Sequence, residues 1–185
     1  TARWFMLSDS PPDRDLEWTE NGISSSFKFI NKVWDLLQKS ISNEYVNKSS
    51  KGEDRLNIKI NLTINNVTKN IESFHFNKSI ANLYELINLV QKCIEEKSCS
   101  KKFLNKVFKK IALLLQPFTP HLSEEIWKEL GGSQLAINEQ WPKPSDTKQK
   151  TKCKIAIQIN GKTREIIEFV FDEKEIIVKT LLRFS

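Results

Sequence analysis

Apolar residues recur at helical spacing along most of this chain, and near its C-terminal end the period changes. Ile23, Phe27, Ile30, Trp34, Leu37 and Ile41 follow one another at intervals of 4, 3, 4, 3 and 4 residues. That spacing puts all six on one stripe of a 3.6-residue helix, with Thr19 or Asn21 positioned to cap its start. A polar, Gly-containing loop around residues 47–53 is expected to end it. The next segment fits two periods. Leu56, Ile58, Ile60, Leu62 and Ile64 alternate as in a strand, whereas Ile60, Ile64, Val67, Ile71 and Phe74 fit a helix, and the helical pattern runs longer. Asn77 opens a further helix carrying Ile80, Leu83, Ile87, Val90 and Ile94. Another, capped near Ser100, carries Leu104, Val107, Ile111 and Leu114 or Leu115, and stops at Pro117. Thr119 and Pro120 read as an N-cap followed by proline at the first helical position. Leu122, Ile126 and Leu130 then precede a stop at Gly131 and Gly132.

These stripes predict a mainly α fold: an antiparallel bundle of four long helices with a shorter one after them. Residues 143–154 lose all apolar periodicity, hold five lysines and read as a linker. Beyond them the period becomes 2. Ile155, Ile157 and Ile159 alternate, Asn160 and Gly161 supply a type I′ turn, and Ile167, Phe169 and Phe171 alternate on the return. Asp172 is placed to cap a helix with Ile176, Ile177, Leu181 and Leu182. A lone hairpin is marginal in water, so this end predicts a small, incomplete α+β domain.

Composition changes the picture only at a few points. At 185 residues, 39% hydrophobic and 28% charged, the chain suits one soluble domain plus a small second one. No apolar run approaches the ~20 residues of a membrane-spanning helix, so no membrane partner is expected. The first ten residues have one basic side chain, no apolar signal-peptide core and no starting Met, as a fragment would. Cys93, Cys99 and Cys153 have no metal-like spacing, and free thiols in a reducing cytoplasmic compartment are expected. With only His75 and His121, a zinc site or histidine-based triad has little to work with, and no metal site is expected.

Charge is unevenly placed. Residues 97–154 hold 12 Lys and no Arg against 5 acidic residues, a local +7 in a chain whose net charge is +6. An anion-binding face has this appearance, and so does a lysine-rich solubilising surface. Catalytic chemistry has less support. The 5 glycines form no phosphate-cradling loop. Glu124 and Glu125 are neighbours, which face different ways on a helix and make no acid/base couple. First-turn acids that favour the helix dipole are the better reading, and His121 in the same turn reads as structural. No catalytic residue is expected.

Three segments carry a family resemblance. Pro117, Phe118, Pro120 and His121 with Glu125, Ile126 and Trp127 come first, Trp141 and Pro142 follow, and Asn160, Gly161, Lys162 and Arg164 close the order. Together they resemble the C-terminal part of a bacterial-type leucyl-tRNA synthetase. The first two segments are shared with valyl- and isoleucyl-tRNA synthetases, and the Asn-Gly-Lys-x-Arg hairpin tips the balance to leucine. Residues 1–18, with Trp4 to Ser8 and the polar Pro12–Asp15 turn, look like the exit from that family's catalytic domain. The family is helical over residues 56–74, which favours the helix there. The resemblance implies residues 1–18 as exit segment and 19–142 as a helical domain of the class I anticodon-binding type. It leaves 143–154 as linker and 155–185 as the start of the small domain.

By the same resemblance the parent ligates leucine to its tRNA at the expense of ATP with Mg2+, while this segment holds no cofactor and lacks the adenylating motifs. Expected partners are leucine tRNA and the parent's own catalytic domain, in a monomer. RNA helices are recognised through shape, phosphates and 2′-hydroxyls, so exposed Lys and Arg are the expected tools. Lys102, Lys106 and Lys109 share one helix face, with Lys101 and Lys110 beside them. Lys150, Lys152 and Lys154 enter the hairpin from the linker, and Lys162 and Arg164, two apart, are expected on one strand face. In the family the small domain approaches the outer corner and long variable arm of leucine tRNA, which makes Lys162 and Arg164 candidate phosphate contacts; Glu165 and Glu168 are alternative partners for them. Arg14 is a candidate contact to the catalytic domain. Trp34 and Trp127 read as core, and Trp18 and Trp141 as pins for chain crossings. The rival readings are a valyl- or isoleucyl-type fragment, and a non-enzymatic helical interaction module whose lysines only solubilise.

Overall fold

A computed structural model describes residues 1–42, 51–145, 151–159 and 162–171. Its elements are α1 (Ala2–Asp9), α2 (Glu20–Ser42), α3 (Lys51–Glu72), α4 (Phe76–Glu95), α5 (Lys101–Leu115) and α6 (Pro120–Glu129). A single 3₁₀ turn (Ala136–Asn138) follows, then strands β1 (Thr151–Ile159) and β2 (Lys162–Phe171). The chain divides into two compact units, Thr1–Pro144 and Ser145–Ser185.

In the first unit the long helices form a ring in the order α3, α4, α2, α5, with α5 closing back on α3. Lys59 reaches Glu85 and Asn66 reaches Asn82, so α3 and α4 run antiparallel. Phe29 packs on Tyr84 and Lys32 bonds Asn88, so α2 and α4 run parallel. Helices consecutive in sequence reverse direction, as a bundle requires, yet α2 and α3 sit diagonally across the ring. The ambiguous segment is helical. Leu56, Ile60, Ile64 and Val67 are buried, while Ile58 at 45% and Leu62 at 49% exposure break the strand-like alternation. α3 already begins at Lys51, so the loop expected to run to residue 53 ends sooner.

Two expectations about packing are corrected. On α2 the buried stripe is Ser26, Phe29, Val33, Leu36 and Ser40, one position ahead of the apolar series, and Leu37 is the member of that series that is fully buried. Phe27, expected inside, is 56% exposed, and Trp34 is only half-buried against the core. Two serines in the true stripe hid it; Ser40 satisfies its hydroxyl internally by donating to the Leu37 carbonyl at 2.7 Å. Residues 1–18 are also more than an exit. α1 inserts Trp4 completely into the core, stacked on Phe29 at 4.7 Å and edge-on to Tyr84 and Phe118, with its indole N–H donating to the Tyr84 hydroxyl at 3.0 Å.

Several helix ends follow their sequence signals, but α4 begins at Phe76, with His75 and not Asn77 at its cap position, and α3 ends at Glu72, short of Phe74. Thr19 caps α2, accepting from the Gly22 amide at 3.2 Å, and Ser100 caps α5, accepting from Phe103 at 3.3 Å. Thr119 precedes Pro120 as expected, but its side chain makes no capping bond and turns back toward the Leu115 carbonyl. α6 ends in a Schellman arrangement: Gly131 at φ +77° bonds back to Lys128, and Gly132 to Trp127. Trp141 pins the outgoing chain, its indole N–H donating to Thr68 Oγ1 at 2.8 Å. Trp18 does less; at 62% exposure it touches Phe5 edge-on.

In the second unit β1 and β2 pair antiparallel. β1 starts at Thr151, inside the stretch expected as linker. The register runs Thr151 opposite Phe171 to Ile157 opposite Glu165, then shifts so that Gln158 faces Thr163 and Ile159 faces Lys162. The expected Asn160–Gly161 turn and the helix after Asp172 lie outside the described residues.

Candidate nucleic-acid interface

α5 is an amphipathic helix with an unusual charge content: five lysines and no acidic residue. Its apolar side, Leu104, Val107, Phe108, Ile111 and Leu115, is fully inside the bundle. Lys101, Lys102 and Lys106 therefore point to solvent, and all three are exposed. Among the described residues no carboxylate pairs with any of them. Lys101 and Lys102 also occupy the first turn, where the positive end of the helix dipole disfavours cations. α3 offsets part of this cost, because Glu53 Oε1 accepts from the Ser100 amide at 2.8 Å.

The remaining two lysines of the helix behave differently. α6 packs over the C-terminal half of α5, and Lys109 is half-buried with its ammonium 5.4 Å from the centre of the Trp127 ring, a cation–π contact. Lys110 is half-buried too, and burial pushes its pKa down from the ordinary lysine value. The outward-facing row expected over Lys101 to Lys110 thus narrows to its first turn and a half. Helical spacing locates the face; only tertiary packing, at Lys109 that of Trp127 from α6, decides how far along it the lysines reach water.

The other candidates are distributed. Lys150 lies outside the described residues. Lys152 and Lys154 stand on β1 opposite Val170 and Glu168. Lys162 opens β2 opposite Ile159, and Arg164 is the extra residue between Thr163 and Glu165 where the register shifts. A bulge interrupts the regular two-residue repeat, so the expectation that Lys162 and Arg164 share a face loses its basis. Glu168 faces Lys154 across the ladder and Glu165 faces Ile157, so neither suggested acid stands directly opposite Lys162. Arg14 is exposed in the turn after α1, where its amide bonds the Pro11 carbonyl at 3.1 Å; Ser73, Phe74 and His75 line the same shallow cleft.

Glu124 has a structural task. Lying beyond the first turn of α6, it is not the dipole partner its neighbourhood suggested. Its carboxylate instead accepts from the amides of Ala136 at 2.7 Å and Ile137 at 3.1 Å and from Gln116 Nε2, clamping the 3₁₀ turn. Cys93 and Cys99 are buried free thiols joined by a hydrogen bond. That bond from Cys99 holds Cys93 down to about 7, whereas the same contact and burial push Cys99 up. Among the described residues no group of three or more His, Cys, Asp or Glu side chains is placed to hold a metal, and no helix is long and apolar enough to cross a membrane. One group of basic residues escaped sequence reasoning. Lys28, Lys32 and Lys39 of α2 gather along one groove, but they lie in a segment whose acids cancel its lysines, so a regional charge count hides them.

An all-helical unit with one lysine-rich, acid-free helix face suits an anionic partner, and comparison with known proteins gives the unit its family. Residues 53–179 match the family described as the anticodon-binding domain of tRNA ligase, and the chain belongs to that family. The leucine–tRNA ligase of Fusobacterium nucleatum is 39% identical over 99% of this chain and 23% of its own length. That of Jannaschia sp. is 37% identical over 98% of the chain and 22% of its own length. Among solved structures, a LeuRS of Agrobacterium radiobacter K84, in ternary complex with tRNA and LeuAMS, superposes with a TM-score of 0.75 at 25% identity. That match covers 97% of this chain and 24% of that one. The chain therefore spans less than a quarter of the length of these relatives.

Proposed function

We propose that this chain is the tRNA-gripping C-terminal part of a leucyl-tRNA synthetase, holding leucine tRNA while a catalytic domain elsewhere in the longer protein aminoacylates it. The observation that carries this reading is the N-terminal face of α5. Lys101, Lys102 and Lys106 are exposed, lack acidic partners among the described residues, and begin in a turn where the helix dipole opposes them. Placing cations against a local rule is the mark of a functional surface. The F. nucleatum and Jannaschia proteins are leucine–tRNA ligases, and the A. radiobacter LeuRS was solved with tRNA, which supports RNA as the anion.

In this reading residues 19–142 grip the tRNA body, 143–154 tether the small domain that starts at 155, and Lys150, Lys152, Lys154, Lys162 and Arg164 add backbone contacts from it. Residues 1–18 lead from the catalytic domain, with Arg14 as an ion-pair partner to it. ATP and Mg2+ belong to that domain. The parent works as a cytoplasmic monomer. The contribution of the segment is orientation: it fixes the tRNA so that its 3′ end meets the reacting groups.

The test is binding of the chain to leucine tRNA and to serine tRNA, which also has a long variable arm, over a range of salt. Duplex contacts give a slope of about −0.9 in log affinity per log salt for each phosphate neutralised. Reversing Lys101, Lys102 and Lys106 to Glu is expected to weaken binding and flatten the slope by about 2 to 3. Unchanged affinity and slope would leave α5 as a solubilising face.

A further inference from the structure

A second basic surface lies on α2. Lys28, Lys32 and Lys39 share one helix face at spacings of 4 and 7 residues, and with Phe27, Asn31 and Asp35 they line a groove to which α4 adds Gln91. Lys32 Nζ crosses it to donate to Asn88 Oδ1 at 2.8 Å, which ties α2 to α4 and leaves further N–H groups unused. Lys28 and Lys39 pair with no carboxylate among the described residues. Phe27 holds its ring in water at 56% exposure, next to the buried Ser26. Core packing therefore does not explain why this position is aromatic. Among the described residues Asp35 is the one acidic side chain lining the groove.

We infer that this groove binds an RNA strand at an unpaired nucleotide: Lys28, Lys32 and Lys39 meet phosphates, Phe27 stacks on the exposed base, and Asp35 with Asn31 and Gln91 bonds the base edge. Backbone contacts position and base contacts specify, and this groove contains the side chains for both. Aromatic rings among lysines are the usual platform for single-stranded nucleic acid. An acidic peptide would meet the same lysines, but it brings no nucleobase to stack on Phe27 and no exocyclic amino group for Asp35. A nucleobase brings a π face for Phe27 and exocyclic amino donors that a carboxylate accepts. The inference rests on the RNA-binding reading above and adds a second face, one that distinguishes unpaired from paired RNA.

Binding of the 185-residue chain to a leucine tRNA transcript, followed by fluorescence anisotropy at several salt concentrations, tests it. Lys28→Glu with Lys39→Glu spares the Lys32–Asn88 tie; it is expected to cut affinity at least tenfold and flatten the salt slope by about 1 to 2. Phe27→Ala is expected to weaken binding about tenfold with the slope unchanged, since stacking releases no counterions. Circular dichroism and melting should match wild type for these exposed positions. If both variants bind like wild type while the α5 reversal weakens binding, the groove is overturned and the α5 reading stands. Loss on the α2 side alone would support the groove and overturn α5 as the grip. No salt-sensitive binding by the wild-type chain would overturn both.

Discussion

Single side chains hold this fold through bonds that reach across it. Trp4 fills the junction of α1, α2, α4 and the turn after α5, and its N–H is satisfied by Tyr84, so a large ring enters the core without an unpaired donor. Glu124 does the equivalent for a turn. Its carboxylate serves the buried Ala136 amide and the Ile137 amide together, and truncation leaves the first without a partner. Glu124→Ala is expected to lower unfolding free energy by about 2 kcal/mol in urea melts, the scale of an orphaned buried donor to a charged acceptor. Glu124→Gln, which keeps one acceptor oxygen, should lose less than half of that. An equal loss for the two variants would mean that charge, not the acceptor atom, matters.

At the scale of an element, α5 divides into a wet half and a covered half. The first turn and a half offers Lys101, Lys102 and Lys106 to solvent, whereas Lys109 lies over Trp127 of α6 and Lys110 is half-buried. Burial lowers the Lys110 pKa, so below its folded value the native state pays for keeping the ammonium half-dry. Between the lowered folded value and the ordinary 10.5 the unfolded chain binds more protons than the folded one, and stability must rise with pH. Denaturation midpoints followed upward to pH 10.5 should show this rise in wild type, and Lys110→Met should flatten it. A wild-type profile no steeper than that of the variant would place Lys110 in water.

For the molecule as a whole, the ring of helices closes within residues 1–144: among the described residues its buried core draws on α1 through α6, the turns holding Cys99 and Phe118, and the 3₁₀ turn. The chain cut after Pro144 is therefore expected to melt cooperatively within about 2 °C of the 185-residue chain, a shift below ~1 kcal/mol at this size. A larger drop would show that the hairpin unit stabilises the bundle. The ring order also explains why α2 presents a groove of its own. Because α2 lies between α4 and α5 rather than beside α3, its Lys28–Lys39 side meets the polar Asn88 and Gln91 of α4.

The sequence by itself determined α2, α4, α5 and α6, whereas the spacing gave no signal for α1 and fitted two periods in α3. Those signals are local: spacing of apolar residues in α4 and α5, Ser100 and Thr19 as caps, Gly131 at a positive φ that other residues resist. The family motifs were legible for the same reason, being short runs of specific residues. Rotation of α2 was not legible, because its inward stripe includes two serines that hydropathy reads as polar. Nor was the role of Trp4, which depends on partners 25 or more residues away. The candidate site divides in the same way. Spacing placed the lysines of α5 on one face, but which of them reach water was decided by tertiary packing against its far end, and the α2 groove exists only because the tertiary ring brings α4 alongside. Periodicity fixes a direction around one helix axis; exposure depends on what another helix places there.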